Sequence, residues 1–225
     1  MIRIYININN VCNANCEFCC MYSGTHKKTF MPFDTFKYII DGNCARGDDF
    51  ELQLEGGEPL INPNLYLFMW YAWSTKQCKK IIITTNGKVL RNHLNRLVNF
   101  AGETKLPVQV KMSINYWLLA ENPDLCKHAR DMHLATEFLD YLSIRFNVRL
   151  RSDGDELVMD EIRKYKIEDQ CNIYNLQSYG RLSGNPEYES PIIVQNIDDW
   201  FIYSCDGQPF GKDLVARSKH EENVP

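Results

Sequence analysis

Four stretches of this chain alternate apolar and polar residues strictly, and segments of helix length lie between them. Residues 2–8 put Ile2, Ile4, Ile6 and Ile8 on one face and Arg3, Tyr5 and Asn7 on the other. Residues 50–55 set Phe50, Leu52 and Leu54 against Glu51, Gln53 and Glu55. Residues 108–115 set Val108, Val110, Met112 and Ile114 against Gln109, Lys111, Ser113 and Asn115. Residues 142–151 set Leu142, Ile144, Phe146, Val148 and Leu150 against Ser143, Arg145, Asn147, Arg149 and Arg151. Strand side chains point alternately to two faces, so each stretch reads as a strand with one apolar and one polar side. Further strands are predicted at 80–85 and 171–177, and helices at 33–44, 64–76, 90–100, 123–141 and 159–165. Repeated β–α alternation argues for a parallel sheet built from right-handed crossovers. Parallel strands covered by helices on both faces read as continuous apolar runs, which these do not. An antiparallel sheet with one solvent face would also alternate, but the intervening helices favour crossovers. A partly closed barrel with helices outside and a polar lumen satisfies both observations. Such a lumen would hold a polar cofactor and a polar substrate.

The rhythm breaks after about residue 181. Gly184, Pro186 and Pro191 suggest a loop, residues 200–205 one short strand, and the tail from Arg217 is highly charged. The expected organisation is a core of residues 1–182 and a short extension, 183–225, of loop plus a small strand or hairpin. With 225 residues, 44% hydrophobic and 24% charged, the chain has the composition of an ordinary globular protein. A net charge of −4 argues against a nucleic-acid or anionic-membrane partner. No secretory signal is evident, and the most apolar stretch, 65–73, is too short to span a bilayer, so the expected location is the cytoplasm.

Nine cysteines are present, and four fall within residues 12–20. The other five, Cys44, Cys78, Cys126, Cys171 and Cys205, are scattered singly. Clustering of this kind points to metal rather than to a disulfide scaffold. The cluster, Cys12, Cys16, Cys19 and Cys20, directly follows the first strand, so it lies at that strand's carboxyl end, the edge where α/β folds bind ligands. Thiolates at spacings of four and three can converge on a cubane iron–sulfur cluster, and three ligands for four irons leave one iron open. Adjacent residues rarely both point at one metal, which sets Cys20 apart. A structural zinc site would want a second Cys or His pair, and none follows.

Cys12-x3-Cys16-x2-Cys19 with an aromatic at Phe18 resembles the hallmark of the radical S-adenosylmethionine superfamily. The second strand ends in Glu55-Gly56-Gly57-Glu58-Pro59, which is similar to that family's GGEP motif. The third ends in Thr84-Thr85-Asn86-Gly87 and the fourth in Ser113-Ile114-Asn115, where relatives often carry Thr-Asn-Gly and Ser-x-Asp. Here Asn replaces the Asp. The resemblance covers residues 1–182 and implies an α/β fold, a partial (β/α)6 barrel. It implies that Cys12, Cys16 and Cys19 are the metal ligands and the catalytic centre, holding a [4Fe–4S] cluster that cleaves S-adenosylmethionine. It implies cofactor-binding roles for Phe18 (adenine), Gly56, Gly57, Glu58 and Pro59 (methionine amino group), Ser113 and Asn115 (ribose and carboxylate), and Arg149 (carboxylate). An oxygen-sensitive enzyme of this kind takes its electron from a flavodoxin- or ferredoxin-type donor.

Tyr179-Gly180-Arg181-Leu182 resembles a turn of peptide-modifying members that carry a cysteine-rich extension, and residues 200–207 resemble the start of such an extension. Only Cys205 remains after Cys171, so ligands for auxiliary clusters are missing and a single-cluster enzyme is expected. The inferred substrate is a peptide or protein side chain. Alternatives are a nucleoside or small metabolite, a glycyl-radical enzyme to be activated, or a non-catalytic metal-binding module. The polar strand faces carry Arg3, Lys111, Arg145, Arg149 and Arg151 against Glu51 and Glu55. This excess suits an anionic ligand group, and internal ion pairing is the competing explanation.

Overall fold

The computed structural model describes residues 1–151, 155–188 and 199–225; Pro191, read as loop, lies outside them. The strands are β1 (Ile2–Asn7), β2 (Phe50–Glu55), β3 (Cys78–Thr85), β4 (Val108–Asn115), β5 (Leu142–Leu150), β6 (Cys171–Asn175) and β7 (Trp200–Tyr203). They form one sheet in the order β6-β5-β4-β3-β2-β1-β7. Every neighbouring pair is parallel. From β1 to β6 each crossover returns to the next position in line, which puts the connecting helices on one side of a curled sheet. This is the partial (β/α)6 barrel that the resemblance implies, and it agrees with the partly closed barrel read from the alternation. The segment after residue 183 adds β7 to the free edge of β1, with Arg3 opposite Trp200 and Tyr5 opposite Ile202.

The helices are α1 (Phe33–Cys44), α2 (Leu65–Ser74), α3 (Leu90–Thr104), α4 (Tyr116–Glu121), α5 (Leu125–Leu134), α6 (Glu156–Tyr165) and α7 (Leu214–Asn223). The stretch expected as one helix over 123–141 is shorter. After Leu134 the Thr136 hydroxyl donates to the carbonyls of Met132 (3.3 Å) and His133 (3.0 Å), and the chain turns toward β5. The short α4 carries no readable period and was not anticipated. Its start is fixed by Asn115, whose side-chain oxygen accepts from Leu118 N at 2.9 Å.

The core lies between the apolar strand faces and the outer helices. Ile4, Ile6, Ile8, Leu52, Leu54, Val110, Phe146 and Val148 are fully buried there together with Phe36, Ile40, Phe68 and Leu97. Phe36 and Phe68 stack with ring centroids 4.3 Å apart, joining α1 to α2. The other face is different: Arg3, Tyr5, Lys111, Ser113, Asn147 and Arg149 are only half-buried. That face is the inside of the barrel.

The helix α7 packs on this inner face, opposite to the others. Its buried residues are Arg217, Ser218 and Glu221. Arg217 lies 2.7 Å from Glu55 and over the Tyr5 ring, and Glu221 accepts from Asn7. Tyr5, Asn7 and Glu55 all belong to the polar strand faces.

Phe146→Ala at the centre of β5 should open a cavity that the surrounding strands cannot close. The expected loss is about 3–5 kcal/mol, read as a lowered urea midpoint with an unchanged slope.

Candidate active site

The loop that carries the cysteines leaves β1 and is pinned by backbone to the end of β2. Gly57 N donates to Asn9 O at 2.7 Å and Glu58 N to Val11 O at 2.9 Å. The Asn9 amide donates to Val11 O (2.7 Å) and Glu58 O (3.2 Å), and Asn62 donates to Ile8 O (2.9 Å). A Cβ on Gly56 would stand 2.3 Å from Asn9 O, and one on Gly57 2.1 Å from Val11 O. Both glycines therefore serve an approach to the cysteine loop itself.

Cys12, Cys16 and Cys19 are held as electrostatic neighbours. Burial pushes the Cys12 and Cys16 thiols up to about 12, and each is raised further by Cys19. Asn86 supports the loop from the end of β3, donating to Asn13 Oδ1 at 2.7 Å and toward Cys12 Sγ at 3.7 Å. Lys88 Nζ donates to Asn13 O at 3.0 Å. The Cys20 thiol is an electrostatic neighbour of Cys19 and also lies against Tyr179 and near Glu55 and Arg217. All nine cysteines carry unbonded thiols. No group of three or more His, Cys, Asp or Glu among the described residues closes on a single point as one metal ion requires. A cubane takes each thiolate at a different corner, so its ligands stand further apart. The donor set, soft thiols of Cys12, Cys16 and Cys19 on one loop, fits such a cluster with one open iron.

The remaining sequence-derived residues sit around this loop. Phe18 packs on Tyr116 with ring centroids 5.5 Å apart. Ser113 and Asn147 are paired inside the barrel, and Asn115 and Arg149 are paired one step further along. The Asn115 side-chain oxygen is committed to the α4 cap. The Arg149 guanidinium lies 4.4 Å over the Tyr174 ring, and its Nη1 is buried without a hydrogen-bond partner.

Glu58 is fully buried. Its carboxylate accepts from Leu60 N (3.0 Å), Thr85 Oγ1 (2.7 Å) and Asn86 N (2.8 Å), so it ties the end of β2 to the end of β3. Burial outweighs these donors and pushes its carboxyl up to about 7. Pro59 starts the short 3-10 turn Pro59–Ile61 that follows.

Gly180 and Arg181, noted in the sequence only as a turn, contact the cysteine loop directly. Arg181 Nη1 donates to Cys16 O at 2.6 Å, Nη2 to Ser23 O at 2.9 Å, and its backbone N to Cys19 O at 3.2 Å. Gly180 has φ +67°, and a Cβ there would stand 2.3 Å from Cys20 Cα. Tyr22 donates to Gly180 O at 2.8 Å, and Ser218 of α7 donates to Cys20 O. The turn after β6, at one edge of the sheet, thus grips the loop after β1 near the other edge.

The sequence is similar to GTP 3′,8-cyclase of Alkaliphilus oremlandii, 30% identical over 95 residues that make up 41% of this chain and 29% of that protein. It is also similar to GTP 3′,8-cyclase of Alkaliphilus metalliredigens, 20% identical over 186 residues, 80% of this chain and 57% of that protein. The chain therefore spans between about a third and somewhat over half of these relatives' length. Among solved structures it resembles Streptococcus suis SuiB bound to the precursor peptide SuiA, with a TM-score of 0.58 and 17% identity, covering 80% of this chain and 40% of that one. No family model matches the chain. The cysteine spacing, the ordered strand-end motifs and these relatives support the resemblance to the radical S-adenosylmethionine superfamily, and the half-barrel agrees with it in fold.

Two outcomes follow from this geometry. Arg181→Ala removes two hydrogen bonds from a charged group and should destabilise the fold by about 2–4 kcal/mol. A thermal melt reads that loss directly. For Glu58, the folded value stands above the ordinary 4.5, so between about pH 4.5 and 7 the folded chain binds more protons than the unfolded one. Its contribution to stability should fall as pH rises through that window, by at most about 1.4 kcal/mol per pH unit. Urea titrations of wild type and Glu58→Gln across the window should show the variant with the flatter profile.

Proposed function

We propose that Cys12, Cys16 and Cys19 hold a [4Fe–4S] cluster at the carboxyl end of β1 and that S-adenosylmethionine binds beside it. The observation that carries this reading is the loop itself: three thiols that are mutual electrostatic neighbours, buttressed from β2, β3 and the turn after β6. When bound, that pair of groups supplies a 5′-deoxyadenosyl radical able to abstract a hydrogen atom from a substrate.

The chain's own residues bind, orient and enclose. Arg181 holds the loop by its backbone carbonyls and Asn86 by the side chains of Asn13 and Cys12. Residues 56–59 border the same space, Gly56 and Gly57 remaining half-buried, which suits them to meet the methionine end of the cofactor. Phe18, braced by Tyr116, offers an apolar plate for an adenine. Ser113, Asn115 and Arg149 line the inner wall on β4 and β5 and offer polar groups to a ribose and a carboxylate. The inner face fits a polar occupant: Gln53 Oε1, Arg149 Nη1 and Arg217 Nε and Nη1 are buried without hydrogen-bond partners among the described residues. Such orphaned groups are costly unless a ligand or water meets them.

The substrate reading is a peptide or protein side chain. Its support is the shape shared with a protein crystallised with a precursor peptide, together with the Gly180–Arg181 turn. A second reading, a nucleotide, is favoured by the cyclase relatives and by the inner-face cations Lys111 and Arg149. Reduction would come from a flavodoxin- or ferredoxin-type partner. Among the described residues no helix is long and apolar enough to cross a membrane.

Anaerobic reconstitution should load about four irons and four sulfides per chain. Addition of S-adenosylmethionine and dithionite should then release methionine and 5′-deoxyadenosine. Cys16→Ala should abolish that release, whereas Cys20→Ala should keep the iron. Fewer than about three irons in the wild type, or turnover by Cys16→Ala, would overturn the assignment.

A further inference from the structure

Only two residues, Glu17 and Phe18, separate Cys16 from Cys19, and one side chain from across the sheet holds both. Tyr116 donates its hydroxyl to Glu17 Oε1 and sets its ring against Phe18, with centroids 5.5 Å apart and planes tilted by 47°. The cysteine loop follows β1, whereas Tyr116 follows β4, and β2 and β3 lie between those strands in the sheet. The contact therefore spans the mouth of the half-barrel. Tyr116 is itself fixed by its surroundings. Asn115 ends β4 in an extended conformation and caps α4, which makes Tyr116 the first residue of that helix. The Arg151 guanidinium stands 4.3 Å over the Tyr116 ring. Arg151 is held in turn by Asp155, Nη2 to Oδ1 at 2.9 Å and Nε to Oδ2 at 3.2 Å, and the Asp155 side chain is only 1% exposed. A side chain locked in this way can impose its own position on what it touches.

The ends of the turn have other holders. Cys16 O accepts from Arg181 Nη1 at 2.6 Å and from Cys19 N at 3.2 Å, and Cys19 O accepts from Arg181 N at 3.2 Å and Tyr22 N at 3.4 Å. These bonds fix carbonyls and do not reach the side chains of Glu17 and Phe18. Each of those residues has two soft dihedrals, and turning the peptides between them re-aims the Cα–Cβ bonds of the cysteines on either side. Among the described residues Glu17 makes no hydrogen bond besides the one from Tyr116. Glu17 is exposed and Phe18 half-buried, so the ring contact is the larger part of the grip and the hydroxyl the smaller.

We propose that Tyr116 is a positioning residue for the Cys16–Cys19 turn: from the end of β4 it holds Phe18 by its ring and Glu17 by its hydroxyl, and so aims the two thiols that flank them. Arg151 and Asp155 are its backing. What the turn then presents its thiols to rests on the function proposed above; how the turn is held does not.

The experiment measures thiol reactivity residue by residue. The full metal-free chain, kept reduced, is treated with iodoacetamide, and the alkylation rate of each cysteine is followed by peptide mass spectrometry. Tyr116→Leu, which loses both contacts, should speed alkylation of Cys16 and Cys19 about fivefold or more. Tyr116→Phe and Glu17→Ala, which keep the ring contact, should give a smaller rise at the same two thiols. Glu17→Gln still offers an oxygen to the hydroxyl and should match wild type. Cys12, held by Asn86, and the buried Cys78 and Cys126 should keep their rates in every variant. Equal rates at Cys16 and Cys19 in wild type and Tyr116→Leu overturn the proposal. Should Tyr116→Leu also expose Cys78 and Cys126, the fold has loosened as a whole and Tyr116→Phe decides: no selective rise at Cys16 and Cys19 in that variant overturns the proposal as well. Iron and sulfide in reconstituted samples separate this idea from the function it serves. A wild-type chain that loads no cluster would sink the radical chemistry, and selective alkylation in the variants would leave the role of Tyr116 standing.

Discussion

A sheet face made of arginines, glutamates and asparagines can be enclosed only if its polar groups find partners. That condition shapes most of this molecule. Arg3 meets Glu51 at 3.0 Å across β1 and β2. Glu55 and Asn7 are met by Arg217 and Glu221 of α7. The helix is thereby drawn to the inside, where an apolar helix would have no place. The pairing is incomplete: Asn7 Oδ1 on β1, Gln53 Oε1 on β2, Arg149 Nη1 on β5 and Arg217 Nε and Nη1 on α7 stay buried without hydrogen-bond partners among the described residues. The same condition thus fixes where the chain can enclose itself and where it must leave room.

Above that room, rigidity comes from backbone contacts rather than from apolar packing. Gly56 and Gly57 let the β2 turn press against the carbonyls of Asn9 and Val11. Glu58, buried and accepting three hydrogen bonds, locks that turn to Thr85 and Asn86 at the end of β3. Asn86 then reaches Asn13 and Cys12. Three strand ends are in this way joined through short polar links that tolerate little substitution. If the loop holds a cluster as proposed, such links would present its thiols before the cluster binds and lower the ordering cost.

Much of this was legible in the residues. The period-two alternation of β1, β2, β4 and β5 gave the strands, and its polar half gave the lumen. The bounds of β2, β4 and α1 agree with the pattern read from the sequence. What escaped has a common physical cause. The helix α7 buries Arg217, Ser218 and Glu221, so its contact face is polar and no hydrophobic period marks it. The grip of Arg181 on the cysteine loop joins residues far apart in the chain, and a Gly-Arg dipeptide carries no local sign of its target. Asn115 was read for the hydroxyls it could meet, yet its oxygen caps α4. A helix follows Asn115 too closely in an apolar run for that cap to be recognised. Glu58 was read, through the motif it belongs to, as an acceptor for the amino group of a ligand. The fold instead buries it among three donors.

The described ends of the sheet, β6 and β7, do not pair with each other. The ring is fastened across that gap by the turn at Gly180 and Arg181, which clasps the loop after β1. A clasp differs mechanically from a weld. A fully closed barrel can widen only by breaking a ladder of strand hydrogen bonds, whereas here a few contacts around one guanidinium hold the seam. Parting them would widen the bore sideways while every strand kept its neighbours. The same contacts keep the cysteine loop in shape, so the width of the bore and the geometry of the loop are mechanically linked.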